Sequence, residues 1–384
     1  MEEVPRFHSP RRNLPPGVGP FPSKRCGRTM LAMASTRPVL LRRAFLLAVG
    51  LFAGLSGPAT FAKEKRRESL QICFVDVEGG QATLFVSPSG QSMLVDTGWP
   101  GFDGRDAKRI VAVARTAGVK KIDYVAVTHY HTDHVGGVPA LAKRIKIGTF
   151  VDHGPNREDS DVTRKDFAAY QNVIVHAKRM VVKPGDIIPV EGITVSVLTA
   201  AGEHVSTRVA GTEAENGLCA SEPEPPEDAT ENARSLGILV TYGVFRLLDL
   251  GDLTKKKELD LACPKNLIGT VDLLVVSHHG SNQSSTQALV HAVHARVAVM
   301  DNGARKGGSP EVWQTVHDSP GLEDLWQLHT SVEGGAEHNP PEAYIANPGE
   351  GAEDHGYGIN VVANWDGTFT VVNTRNGKEK TYQK

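Results

Sequence analysis

Three histidines and one aspartate fall within six residues in Thr128-His129-Tyr130-His131-Thr132-Asp133-His134-Val135-Gly136-Gly137. Imidazole nitrogen and carboxylate oxygen are ligands that zinc, manganese and iron accept. The run follows residues 122–128, which are mostly apolar and β-branched, as a buried strand should be. A loop leaving a strand end can aim several side chains at one point. Gly136 and Gly137 permit a close backbone turn into the next element. Metal ions held by such ligands can support hydrolysis. Two divalent cations about 3.5–4 Å apart lower the pKa of a water between them toward roughly 7, so that a hydroxide attacks a carbonyl or phosphoryl centre. The same charges stabilise the oxygen being displaced.

Three further polar segments each follow a short apolar stretch: Val95-Asp96-Thr97-Gly98, Asp249-Leu250-Gly251-Asp252 and Val276-Ser277-His278-His279-Gly280-Ser281. In this order, over residues 72 to about 300, the four segments resemble the metallo-β-lactamase superfamily. Val75-Asp76-Val77-Glu78-Gly79-Gly80-Gln81-Ala82, Glu231-Asn232-Ala233-Arg234-Ser235-Leu236 and the closing His-His-Gly-Ser are similar to one branch, the hydrolase domain of the bacterial DNA-uptake (competence) channel. Glu78, Gly79 and Gln81 stand where that branch has Gly, Gln and Asp. No multi-span membrane region accompanies them, so the resemblance is to a free-standing relative.

The resemblance implies a ligand set. His129, His131 and a third histidine would hold one metal; Asp133, His134 and His278 would hold the other; Asp252 would bridge. The third histidine is either His153, at a strand end before Gly154, or His204, after the strand over 193–198. Asp96 would orient a ligand histidine. His279 would contact substrate or support a ligand, and with Asp133 and Asp96 it makes the expected catalytic group. The implied cofactors are two divalent ions, zinc first, with manganese or iron acceptable. A cysteine near the bridging position is frequent in the β-lactam-degrading branch, and Asp252 in its place points away from that substrate.

The elements that must position these groups alternate. Strands are expected over 71–77, 81–86, 92–95, 122–128, 148–151, 193–198, 236–242, 245–250, 271–277 and 297–300, with helices over 106–117, 138–145 and 287–294. Residues 356–364 and 368–373 flank Trp365-Asp366-Gly367, a hairpin signal. The resulting expectation is an α/β fold, a four-layer αββα sandwich over 69–300, with a C-terminal extension, 301–384, packing on it. Residues 155–166 and the acidic, Pro-rich 213–231 read as the loops that set specificity. Asn302 and Arg305, in the Gly-rich segment 301–309, are either anion-gripping groups or part of a plain surface loop. His329, His338 and His355 read as structural or exposed.

Residues 1–62 differ from the rest. Arg37, Arg42 and Arg43 precede an apolar run of 12 residues, 44–55, and small residues follow to Ala62. This is the order of an export signal with cleavage after Ala62, and the run is too short to span a bilayer as a helix. The expected location is periplasmic or secreted, with no membrane attachment after cleavage. Residues 1–62 hold nine basic and two acidic side chains, which leaves 33 basic and 42 acidic, a net charge of −9. Such a surface disfavours a stable nucleic-acid partner, though a short phosphodiester remains open to it. Cys73 reads as core, and an exported chain could pair Cys219 with Cys263. The expected substrate is a small or short anionic ester or phosphodiester. The alternatives are a lactone or β-lactam amide and, in another class, a non-catalytic binding protein that keeps a metal.

Overall fold

The computed structural model describes residues 69–209, 215–349 and 355–384. The export segment expected over 1–62 and part of the acidic loop expected over 213–231 lie outside the described residues.

In chain order the strands are β1 (Ser69–Phe74), β2 (Thr83–Val86), β3 (Ser92–Val95), β4 (Lys121–Ala126), β5 (Lys146–Asp152), β6 (Lys178–Val181), β7 (Ile187–Ile188), β8 (Thr194–Ala200) and β9 (Glu203–His204). They continue with β10 (Gly237–Tyr242), β11 (Phe245–Asp249), β12 (Leu273–Val275), β13 (Val297–Met300), β14 (Asp324–His329), β15 (Ile345–Asn347), β16 (Ile359–Asn364), β17 (Phe369–Asn373) and β18 (Glu379–Tyr382). One sheet has the order β18-β17-β16-β1-β2-β3-β4-β5-β6; the other runs β15-β14-β13-β12-β11-β10-β8-β7, with β9 paired to β8. The stretch 301–384 therefore supplies strands to both sheets, and its β16–β17 hairpin pairs antiparallel to β1.

The main helices are α1 (Arg105–Thr116), α2 (Thr132–Val135), α3 (Val138–Ala142), α4 (Asp161–Ile174), α5 (Lys255–Ala262), α6 (Gln287–Ala292) and α7 (Pro310–His317). Three apolar layers define the sandwich. Phe74, Phe85, Val197, Leu247 and Trp326 fill the space between the sheets. Ile110, Leu141 and Tyr170 seal α1, α3 and α4 onto the first sheet. Leu261, Leu289 and Val316 seal α5, α6 and α7 onto the second. The architecture is the αββα sandwich. It follows from strands such as β2 and β13, buried along their whole length, because only sheets covered on both faces bury continuous apolar runs. Among the described residues no helix is long and apolar enough to cross a membrane.

The expected loop over 155–166 is shorter than the sequence suggested. Helix α4 starts at Asp161, with the Ser160 hydroxyl accepting from the Thr163 backbone N–H, so only 155–160 remain irregular. The cap signal is Ser160 itself, and Thr163, Tyr170 and Ile174 carry the buried stripe. Within 213–231, a short helical turn, Gly217–Ser221, is tied to the body by a Cys219–Cys263 disulfide. Cys73 is free and buried.

Candidate metal centre

The polar segments converge because each leaves a strand at the same edge of the sandwich: Asp96 after β3, His129 after β4, His153 after β5, Asp252 after β11, and His278–His279 after β12. The histidine loop is clamped where it turns. A Cβ on Gly137 would lie 2.0 Å from the Thr97 carbonyl oxygen, and one on Gly136 would lie 2.4 Å from Pro100 Cδ. Both glycines have ordinary right-handed dihedrals. Close approach, not positive φ, is what requires them.

Asp133, His134, Asp252 and His279 are all buried, and each offers one ligand atom within 4.8 Å of the others. His134 Nε2 is 3.2 Å from His279 Nε2 and 3.2 Å from Asp252 Oδ2. Asp133 Oδ2 lies 3.3 Å from each of those ring nitrogens. Beside this group, His129 Nε2 faces His131 Nδ1 at 3.1 Å and Asp252 Oδ2 at 3.8 Å. His278 Nε2 is 3.4 Å from the same Asp252 oxygen.

The outward ring nitrogens explain why the inward ones are available. The Thr128 hydroxyl donates to Asp96 Oδ2 at 2.6 Å, so its oxygen accepts from His129 Nδ1 at 3.0 Å. His134 Nδ1 donates to Asp96 Oδ2 at 2.7 Å, His131 Nε2 to Glu158 Oε2 at 2.9 Å, and His279 Nδ1 to Asp301 Oδ1 at 3.2 Å. In neutral rings these bonds fix the tautomers and leave lone pairs on His129 Nε2, His131 Nδ1, His134 Nε2 and His279 Nε2. Lone pairs facing each other across about 3 Å repel unless a cation or a proton lies between them. Buried Asp252 Oδ1 has no hydrogen-bond partner. This donor set fits divalent metal ions.

The electrostatics describe the same competition for positive charge. Burial pushes Asp133 and Asp252 up, but His134 acts on both, with Lys306 on Asp133 and His278 and His279 on Asp252, and the carboxylates are held well below their usual range. Burial would depress His134, yet Asp252, Asp133 and Asp96 raise it well above the ordinary imidazole value. His279, desolvated and next to Lys306, is nonetheless pushed up to about 9 by Asp252 and Asp301. Burial, reinforced by His134 and His131, drives His129 well below its usual value.

Of the sequence-proposed residues, the structure brings together His129, His131, Asp133, His134, Asp252, His278 and His279, with Asp96 directly behind His134. His279 is the adjacent histidine that reaches Asp133 and His134. His153 is buried, but its Nε2 pairs with Glu231 Oε2 at 3.0 Å. His204 lies in β9, where it pairs with Thr199, and no described ion pair, hydrogen bond or ring contact links it to the cluster. Asn302 is fully buried and donates to the carbonyls of Gly303 and His329, a structural role. His329 donates to Asp76 Oδ1 at 2.7 Å.

Sequence reasoning missed Glu158, Glu231, Asp301 and Lys306. Glu231 opens the segment 231–236 already quoted for its resemblance, and Asp301 and Glu158 lie in the singled-out stretches 301–309 and 155–166, but nothing in residue type marked any of the three as a partner of a histidine. Lys306 sits next to Arg305 in the segment already singled out. Its Nζ hydrogen-bonds Asp133 Oδ2 and the Gly79 carbonyl, the latter at 2.7 Å, and it lies over the Trp99 ring. Its side chain is 36% exposed, so it reaches solvent beside the buried Asp133.

Residues 75–222 match the family model described as metallo-beta-lactamase superfamily. The chain is 24% identical to ComE operon protein 3 of Bacillus subtilis over 199 residues, 51% of this chain and 22% of that protein. It is 23% identical to competence protein ComA of Neisseria gonorrhoeae over 276 residues, 71% of this chain and 33% of that protein. It thus spans between a fifth and a third of the length of these relatives. The metallo-beta-lactamase fold protein YhfI from Bacillus subtilis superposes with a TM-score of 0.41 at 12% identity, over 68% of this chain and 96% of that one. Residues 75–222 thus match the metallo-beta-lactamase superfamily model, and the chain is similar in sequence to competence proteins.

Proposed function

We propose that this protein is an exported, metal-dependent hydrolase of anionic esters or phosphodiesters. The observation that carries the reading is the set of inward lone pairs and carboxylates at Asp133, His134, Asp252 and His279, continued by His129 and His131. Bound divalent cations supply Lewis acidity and an activated water at such a site. The chain's own residues do the remaining work. Asp96, Glu158 and Asp301 hold the ring protons on the outward nitrogens, so the inward lone pairs stay aimed without reorganisation. Lys306 offers an ammonium beside Asp133, suited to a phosphate or carboxylate oxygen of substrate. The competence relatives support a phosphodiester in particular, and the Cys219–Cys263 disulfide supports an oxidising compartment.

The test is turnover by protein lacking residues 1–62, with zinc or manganese added, on bis-(p-nitrophenyl) phosphate, a lactone and a chromogenic cephalosporin. Chelator-sensitive hydrolysis of the phosphodiester is expected. Turnover of the cephalosporin alone would overturn the substrate assignment. No turnover, with fewer than about one metal ion per chain, would favour the non-catalytic binding protein.

A further inference from the structure

The sequence leaves the third ligand of the His129–His131 pair open between two histidines, and the structure engages neither there. His153 Nε2 is held by Glu231 and its buried Nδ1 has no hydrogen-bond partner, but no described hydrogen bond, ion pair or ring contact joins it to His129 or His131, and none joins His204 to the cluster. Another residue stands beside His278, whose Nε2 faces Asp252 Oδ2 at 3.4 Å. Asn232 is 7% exposed, its Nδ2 is 3.4 Å from His278 Nε2, and its buried Oδ1 has no hydrogen-bond partner. A buried amide oxygen left unpaired costs on the order of 1–3 kcal/mol, so a native position for it calls for a partner.

The segment carrying Asn232 is tied to His131 through one oxygen. Glu158 Oε2 accepts from His131 Nε2 at 2.9 Å and from the Glu231 backbone N–H at 2.8 Å. Glu231 is itself fully buried and held by Arg157 N and His153 Nε2, so the chain entering Asn232 is fixed from both sides. The two adjacent histidines then diverge. His278 and His279 both adopt left-handed backbone, φ 55° and 56°, which is uncommon for non-glycine residues and persists where the surroundings impose it. Their ring planes stand 74° apart with centroids separated by 6.2 Å. His279 reaches His134 and Asp133, whereas His278 reaches Asp252 and Asn232.

We propose that Asn232 Oδ1 and His278 Nε2 complete the metal site begun by His129 and His131, and that His279 completes the one begun by Asp133 and His134. Asp252 belongs to both. An amide can present either terminal atom, and a cation selects the oxygen. An amide oxygen among imidazoles suits an ion that tolerates oxygen ligands, such as manganese. This inference rests on the metal-hydrolase reading above.

Manganese binding, followed by calorimetric titration and by metal content after dialysis, tests it without using turnover. Wild-type protein is expected to bind about two ions per chain. Asn232→Ala and His278→Ala should each weaken one ion by tenfold or more (roughly the range for supporting residues, and a lower bound for a ligand). The double variant Asn232→Ala/His278→Ala should still retain the other ion, whereas Asn232→Ala/His279→Ala should retain neither. Asn232→Asp, which keeps the oxygen and adds charge, should bind the first ion more tightly, and it serves if the alanine variant does not fold. Wild-type binding of both ions with Asn232→Ala unchanged, or an Asn232→Asp variant that binds no more tightly, overturns the assignment and leaves the hydrolase reading intact. Wild-type protein that binds no manganese or zinc overturns both.

Discussion

Asp96 Oδ2 lies 2.7 Å from His134 Nδ1, and both side chains are fully buried. Asp96 also accepts from Thr128 through both the backbone N–H, at 2.8 Å, and the hydroxyl, at 2.6 Å. One carboxylate therefore fixes His134 directly and His129 through Thr128. Its own backbone is left-handed, φ 59°, a conformation that asparagine tolerates. Asp96→Asn should keep the fold and lower metal affinity about 10–100-fold. Calorimetric metal titration of a variant with an unchanged circular dichroism spectrum checks this, and wild-type affinity would show that Asp96 does not set the ring orientation.

Lys306 contacts Asp133 and reaches solvent beside it. If it grips an anionic substrate, Lys306→Ala should raise KM for bis-(p-nitrophenyl) phosphate about tenfold or more, the scale of one charged hydrogen bond, with a smaller effect on a neutral lactone. Steady-state kinetics on both substrates separates the cases. An equal loss on both would assign Lys306 to holding Asp133 instead.

At the end of β5, Asp152 is fully buried and accepts from Arg179 Nε and Nη2, each at 2.7 Å, from the Tyr170 hydroxyl at 2.8 Å and from Gly154 N at 2.8 Å. Asp152→Ala strands Arg179 Nε, the Tyr170 hydroxyl and Gly154 N, while Arg179 Nη2 keeps the Gly154 carbonyl at 3.1 Å. The expected loss is about 3 kcal/mol, at the low end for a broken buried pair because Arg179 is partly exposed. Urea denaturation of metal-free protein measures it; a loss below about 1 kcal/mol, the scale of a surface pair, would mean that water replaces the network.

Glu258 predicts a pH dependence. Burial pushes its carboxyl from 4.5 up to about 7, against the backbone N–H groups of Thr286 and Ser285 that favour the charged form. The folded state then keeps the proton up to about pH 7, while the unfolded chain releases it near 4.5. The folded state binds more protons in that window. This contribution to stability is full below pH 4.5, falls as pH rises toward 7, and is flat above. The slope is at most about 1.4 kcal/mol per pH unit. The stability difference between wild type and Glu258→Gln, followed by urea denaturation across this range, should fall with rising pH; a constant difference contradicts the shift.

Strands that are continuous apolar runs were legible, and β3 and β13 match the expected bounds at both ends, whereas the polar, largely exposed β6 and the C-terminal β18 were not expected. Helix α4 was obscured by the polar, acidic start of its pattern, where only Ser160 marks the cap. The histidine loop was legible from residue type, and Asp96 and Asp252 from the order of segments that the superfamily resemblance supplies. What was not legible was direction. Whether His278 or His279 turns toward His134 depends on two left-handed backbone conformations, and no local signal in Ser277-His278-His279-Gly280 encodes which ring points where. Glu158 and Lys306 meet the histidine loop from 27 and 173 residues away, and such pairings exist only once the sandwich has closed.

The most direct test of the account is the location of metal in a crystal. Anomalous scattering from manganese- or zinc-soaked crystals should place an ion among Asp133, His134, Asp252 and His279, with those four side chains little moved. Fully soaked crystals in which this cluster holds no ion, with Lys306 still on Asp133 and the paired imidazoles unchanged, would contradict it.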